Sequence, residues 1–202
     1  MPMRALVLNC TLKSSPAPSN TDVLADVVVK ALREKDVDVE VIRAVDHRIP
    51  PGVETDMGEG DEWPKIHELL KFSDILIIAT PTWLGQPSSV AKLVLERMDA
   101  MISEKKDDGT YAAYNKVAGV VVTGNEDCAH HVISEVAGAL IDIGFTIPGQ
   151  AWTYWNMGPG PGPSYTETEH GHEWSESTGK TMAANLFAAA TALKANPLPP
   201  AG

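Results

Sequence analysis

"RALVLNCTLKSSPAPSNTDVL" (residues 4–24) runs from a short apolar stretch through a loop crowded with hydroxyl side chains into the start of a helical repeat. Residues 5–8 form a continuous apolar run of strand length, and residues 75–79 and 117–122 repeat the pattern. Such runs mark strands covered on both faces, so these three belong in the middle of a sheet. Val37, Val39 and Val41 instead alternate with Asp38 and Glu40, and residues 146–149 include Pro148, so both stretches are expected at sheet edges. Between them lie helical repeats: Leu24, Val27, Val28, Ala31 and Leu32; Ile66, Leu69 and Leu70; Val90, Leu93, Val94 and Met98; and Val132, Ile133, Val136, Leu140 and Ile141, closed by Gly144. A fifth helix is expected over residues 182–193. Strand–helix alternation of this kind predicts an α/β fold, a five-stranded parallel sheet in order 2-1-3-4-5 between two helical layers. Ligands of such sheets sit beyond the carboxyl ends of the strands, where the strand order reverses. That places the interest in residues 9–21, 80–89 and 123–130.

The chain has 202 residues, 44% of them hydrophobic, which is enough for one sizeable core. A single domain over residues 1–196 with a short tail at 197–202 is therefore expected. A net charge of -11 disfavours nucleic acid and anionic membranes as partners and favours small molecules or proteins. Cys10 and Cys128 match no zinc spacing and no secreted disulfide framework, and no run is long and apolar enough to span a bilayer. A cytoplasmic protein without a membrane partner is the expectation.

In the first loop, backbone N–H groups at Asn20 and Thr21 open a helix whose dipole favours an anion. The hydroxyls of Thr11, Ser14, Ser15, Ser19 and Thr21 can donate to phosphate oxygens, and Lys13 can supply charge. The same residues would also serve simply to cap a helix. In the second loop, Pro81, Gly85 and Pro87 shape an irregular backbone beside Trp83 and Leu84, whose apolar surface suits a planar ring; a Trp83 packed into the core is the plainer expectation. In the third, Thr123 and Gly124 let backbone approach a ligand beside Asn125 and Asp127, although Asp127 would equally cap the next helix.

Together these loops resemble the NAD(P)H-dependent FMN reductases and the multimeric quinone reductases of the flavodoxin-like superfamily. Asn9-Cys-Thr-Leu-Lys with Ser19-Asn20-Thr21 is similar to that family's G-S-P-R…S-N-T phosphate loop, and Pro81-Thr-Trp-Leu-Gly-Gln-Pro with Lys92 to its P-x-Y-x-G-x-x-P…K segment. The resemblance covers residues 4–150. It departs at Cys10, Leu12 and Lys13, where the family carries glycine, proline and arginine. It implies a flavodoxin-like three-layer sandwich binding FMN. Thr11, Lys13, Ser19, Asn20 and Thr21 would hold the phosphate. Pro81, Thr82, Trp83, Leu84, Gly85, Gln86, Thr123, Gly124, Asn125 and Asp127 would surround the ring. The cysteine cluster that some relatives carry for an iron-sulfur centre has no counterpart in residues 43–62.

The implied activity is transfer of electrons from NADH or NADPH through FMN to a quinone, another flavin or a further small-molecule acceptor, with no side chain required as acid or base. A flavodoxin-type electron carrier that does not oxidise nicotinamide itself is the alternative. Cys128 with His130 and His131 offers a weaker nucleophile-and-base reading, and Glu169, His170, His172 and Glu173 an isolated half of a metal site. Residues 152–177 combine aromatics with the run Gly158-Pro-Gly-Pro-Gly-Pro in an unusually long connection. A lid over the flavin and an arm joining subunits of a homodimer or homotetramer both fit it, and the arm is the favoured expectation because the fifth strand is expected away from the phosphate loop.

Overall fold

The computed structural model describes residues 2–160 and 162–200. Met1, Pro161 of the glycine–proline run, and Ala201 and Gly202 of the tail lie outside the described residues. Strand β1 (Arg4–Asn9) leads into α1 (Asn20–Arg33), then β2 (Asp38–Arg43), α2 (Trp63–Phe72), β3 (Ile75–Trp83), the two-residue β4 (Gln86–Pro87) and α3 (Ser89–Arg97). The chain continues through β5 (Val117–Gly124), α4 (Ala129–Ile143), β6 (Trp152–Asn156) and α5 (His172–Ala195).

Five strands run parallel in the order β2-β1-β3-β5-β6, the flavodoxin-like order that the sequence predicts, while β4 folds back antiparallel on the end of β3. Alternation along the central strands divides the core in two. Leu6, Leu8, Leu76, Ile78, Val120 and Val122 face the layer of α2, α3 and α4. Ala5, Val7, Ile75, Ile77, Val117 and Val121 face α1 and α5. Each such aliphatic side chain contributes roughly 1.5–3 kcal/mol when fully buried, which explains why continuous apolar runs occur only where both faces are covered. Gly144 ends α4 in the left-handed conformation, with a φ of 113°.

The fifth strand is not where the proline-bearing stretch places it. Thr146 makes a single bridge to Val117; after Pro148, which has no N–H to donate, the chain turns through Gly149 and Gln150 and enters the sheet at Trp152. The fifth helix also begins earlier than expected, at His172. Together these shifts dissolve the long connection: residues 152–156 are strand, residues from 172 onward are helix, and what remains between is residues 157–171.

Candidate functional site

A cavity of about 200 Å³ opens at the carboxyl ends of β1, β3 and β5, lined by Thr11, Lys13, Asn20, Thr82, Trp83 and Gly124 among others. Its floor is the loop after β1. Thr11 N–H donates to Asn9 Oδ1 at 3.0 Å and Lys13 N–H to Thr11 Oγ1 at 3.3 Å, which curls the chain tightly as it leaves the strand. Ser19 caps α1, its hydroxyl accepting from Asp22 N–H at 3.2 Å. Among the described residues, the N–H groups of Asn20 and Thr21 have no acceptor, as expected of a helix first turn that faces a ligand site.

Three braces hold this loop. Ser88, capping α3, donates its hydroxyl to Cys10 O at 2.6 Å. Ser15 donates its N–H and hydroxyl to Asp46, holding that carboxyl below the usual range. Arg43, at the end of β2, donates to Ala17 O at 2.8 Å, to Lys13 O at 3.3 Å and to Asp22 Oδ2 at 2.9 Å. Asp22 in turn accepts from Asn9 Nδ2 at 3.0 Å, so one carboxylate joins β1, β2 and α1.

Thr21 and Thr123 face each other with hydroxyl oxygens 2.7 Å apart, both side chains buried. One proton lies between them; the other hydroxyl keeps a proton to donate into the cavity. Beside them, the buried Thr82 Oγ1 has no partner among the described residues. Gly124 lets the backbone come close here, since a Cβ at that position would lie 3.0 Å from Thr82 Cβ. An orphaned hydroxyl, unclaimed N–H groups at a helix start and a nearby lysine make a donor set suited to an anionic, oxygen-rich ligand, and the phosphate and polyol of FMN fit it.

The second loop is an open rim. Leu84 and Gly85 both take positive φ, 53° and 73°, forming the two-residue turn between Trp83 and Gln86. Trp83 is 52% exposed and Leu84 91%, so Trp83 is not a core residue but apolar surface at the edge of the cavity.

The expected site residues therefore divide. Thr11, Lys13, Ser19, Asn20, Thr21, Pro81, Thr82, Trp83, Thr123, Gly124 and Asn125 line the cavity. Leu84 and Gly85 form the turn behind it, Gln86 Nε2 lies 3.0 Å from His131 Nε2, and Asp127 accepts from Cys128 Sγ; these four do not line it. Nor does Asp127 cap α4, whose cap position is Cys128 in the left-handed conformation. Lys92 points to Glu135 on α4. Cys128 is exposed, and its bond to Asp127 raises its pKa, the opposite of an activated nucleophile. His172 is occupied by Tyr165, and among the described residues no group of three or more histidine, cysteine or acidic side chains is placed to hold a metal.

Leu12, Trp155, Ser164 and Tyr165 also line the cavity; the last three belong to the segment for which a lid is the less favoured expectation. The segment expected to reach away from the phosphate loop comes back across it. The aromatic alternation of β6, with Thr153 and Trp155 buried and Trp152, Tyr154 and Asn156 half-buried, is a readable strand signal. Nothing local marks Ser164, Tyr165 or Arg43.

A doubly wound sheet whose first loop presents unclaimed donors beside a half-open apolar rim is the architecture of the flavodoxin-like class. The family model for NADPH-dependent FMN reductase matches residues 3–154, and the chain belongs to that family. Among curated proteins it is similar to the 8-demethyl-8-aminoriboflavin-5'-phosphate synthase of Streptomyces davaonensis, 38% identical over 79% of this chain and 65% of that one. It is also similar to the divalent metal cation transporter MntH of Mycobacterium bovis, 43% identical over 78% of this chain and 24% of that one. The chain thus spans about a quarter and just under two thirds of these relatives. Among the described residues no helix is long and apolar enough to cross a membrane. Among solved structures, RosB with the bound intermediate 8-demethyl-8-formylriboflavin-5'-phosphate superposes with a TM-score of 0.88 at 36% identity, over 97% of this chain and 82% of that one. An NADH:FMN oxidoreductase, EMOB, shares the fold at a TM-score of 0.64 and 13% identity, over 90% of this chain and 89% of that one.

Proposed function

We propose that this cavity binds FMN and that the protein transfers electrons from NADH or NADPH to a small acceptor such as a quinone or another flavin. The observation that carries the reading is the set of unclaimed donors at the start of α1, closed in by the Arg43-braced loop. Thr11, Lys13, Ser19, Thr21 and the N–H groups of Asn20 and Thr21 would hold the phosphate; Pro81, Thr82, Trp83, Thr123 and Gly124 would border the ring. When bound, the flavin supplies hydride and electron transfer, and the protein supplies position and electrostatics. The half-exposed Trp83 and exposed Leu84 leave apolar surface beside the rim on which a planar donor or acceptor can rest.

A second reading is favoured by one observation, the 36–38% identity to RosB and to the riboflavin-phosphate synthase. In it the flavin phosphate is the substrate to be modified, not a retained cofactor. One experiment separates the two. The purified protein is loaded with FMN, mixed anaerobically with NADH and NADPH in turn while the flavin band is followed, and the flavin is then extracted and weighed by mass spectrometry. Bleaching with unchanged flavin mass supports the oxidoreductase. A changed mass after a parallel aerobic incubation with an amino donor supports the modifying enzyme. Failure to take up FMN would remove both.

A further inference from the structure

Within the segment expected to be a lid or an arm, Ser164 and Tyr165 line the cavity, and residues 162–167 are held there by long-range bonds. Asn20 Oδ1 accepts two hydrogen bonds from Thr166, from its N–H at 3.0 Å and its hydroxyl at 2.8 Å. At the other end of the segment, Asn125 Nδ2 donates to Gly162 O at 3.3 Å. The segment is thus pinned to the first turn of α1 and to the loop after β5, the two places where a phosphate-bearing ligand would enter.

Its internal structure is equally fixed. Ser164 donates its N–H and hydroxyl to Glu167 Oε2 at 2.8 and 2.7 Å, closing a short turn over residues 165–167. Tyr165 is buried, stacked on His172 with ring centroids 3.9 Å apart and met edge-on by Trp155 at 5.4 Å. Displacing Tyr165 to admit a larger ligand would break this ring packing.

Charge points the same way. The two bonds from Ser164 hold the exposed Glu167 carboxyl below the usual range, and the charge of Lys13 lowers it further, so an ionised carboxylate stands within electrostatic reach of Lys13. A terminal phosphate would rest on Lys13 and α1. A second phosphate placed next to that one, on the Lys13 side, would meet the like charge of Glu167.

Resting on the reading that the site takes a flavin phosphate, we propose that Asn20 and Thr166 are specificity-determining residues: by clasping residues 162–167 across the start of α1, they confine the site to a flavin ending in a phosphate monoester and exclude one extended by a second phosphate and nucleoside. Asn20 is then a clasp through its side-chain oxygen, and its contribution to the phosphate is its backbone N–H.

The test is a pair of fluorescence titrations of the full chain with FMN and with FAD, joined to a stopped-flow measurement of FMN release and a thermal melt. Wild type is expected to bind FMN at least about 100-fold more tightly than FAD. Asn20→Ala, which removes the acceptor for both bonds, should cut that ratio to below about tenfold and speed FMN release about tenfold; Thr166→Val, which keeps the N–H, should do each about threefold. Glu167→Gln should improve FAD binding while leaving FMN within about twofold. Variants that fold normally but weaken both flavins equally, leaving the ratio unchanged, would overturn the clasp while leaving the flavin reading intact. A wild type that binds both flavins equally would also overturn it, and one that binds neither would remove the flavin reading and the clasp together.

Discussion

Replacing Arg43 with methionine removes three bonds from the first loop while keeping most of the apolar stem. The contact to Ala17 O is short at 2.8 Å, that to Asp22 Oδ2 is a charged pair at 2.9 Å, and that to Lys13 O is long at 3.3 Å. Hydrogen bonds to a charged group contribute roughly 1.5–3 kcal/mol when shielded. Here the Asp22 side chain is 42% exposed and Arg43 only 13%, so the ion pair is screened on one side while the Ala17 bond is not. Asp22 also keeps Asn9 Nδ2, so the substitution strands no buried charge. The total loss is about 2–3 kcal/mol. Most of it falls on the order of the loop, because Arg43 ends an edge strand and its recorded bonds lie within residues 13–22. FMN should therefore bind about 10- to 30-fold more weakly, or roughly 1.4–2 kcal/mol, while the melting temperature falls by only about 2–4 °C. Arg43→Lys should recover part of the affinity, since one ammonium cannot reproduce the fork of the guanidinium. The assay is flavin fluorescence titration beside a thermal melt. An affinity within twofold of wild type, with a melting temperature lowered by more than about 8 °C, would show that Arg43 braces the sheet and not the site.

Two further predictions concern stability. Arg97 and Asp61 form a fully buried ion pair at 2.6 Å, with Arg97 also donating to Pro50 O and Glu54 O. Arg97→Met leaves Asp61 buried without its counter-charge and should cost about 3–5 kcal/mol, or about 6–20 °C in melting temperature, while the folded fraction keeps its flavin affinity; a fall under about 2 °C in calorimetry would refute this. Glu104 accepts from Thr55 and lies 2.8–2.9 Å from the buried His67; burial alone would raise its carboxyl, but these partners outweigh it and hold the pKa below the usual range. A depressed folded-state pKa stabilises above the unfolded value near about pH 4.3 and is lost as pH falls through the lower folded value. Melting curves between pH 6 and 2.5 should therefore fall more steeply for wild type than for Glu104→Gln below about pH 4.3, and parallel curves would refute the assignment.

What the sequence determines by itself is whatever is written in local periodicity. Residues 5–8, 75–79 and 117–122 identify themselves as central strands because burial on both faces demands unbroken apolar runs, and Val37, Val39 and Val41 as an edge because one face stays wet. With the strand order known, the chain-crossing rules alone point to the loops after β1, β3 and β5 as the candidate site, and most of the expected ligand-facing residues line one cavity there. Pro148 misdirects the fifth strand because its neighbours look apolar, while the actual strand mixes tryptophan, threonine, tyrosine and asparagine and so hides in a segment read as a connection. Only the tertiary structure decides that Arg43 straps the first loop, that Thr166 reaches Asn20 across 146 residues of chain, and that Arg97 neutralises Asp61. Apolar burial repeats with the period of the helix or strand that carries it and can be read along the chain. A polar side chain finds its partner by direction and distance in the folded molecule, and no spacing along the sequence records which one it will meet.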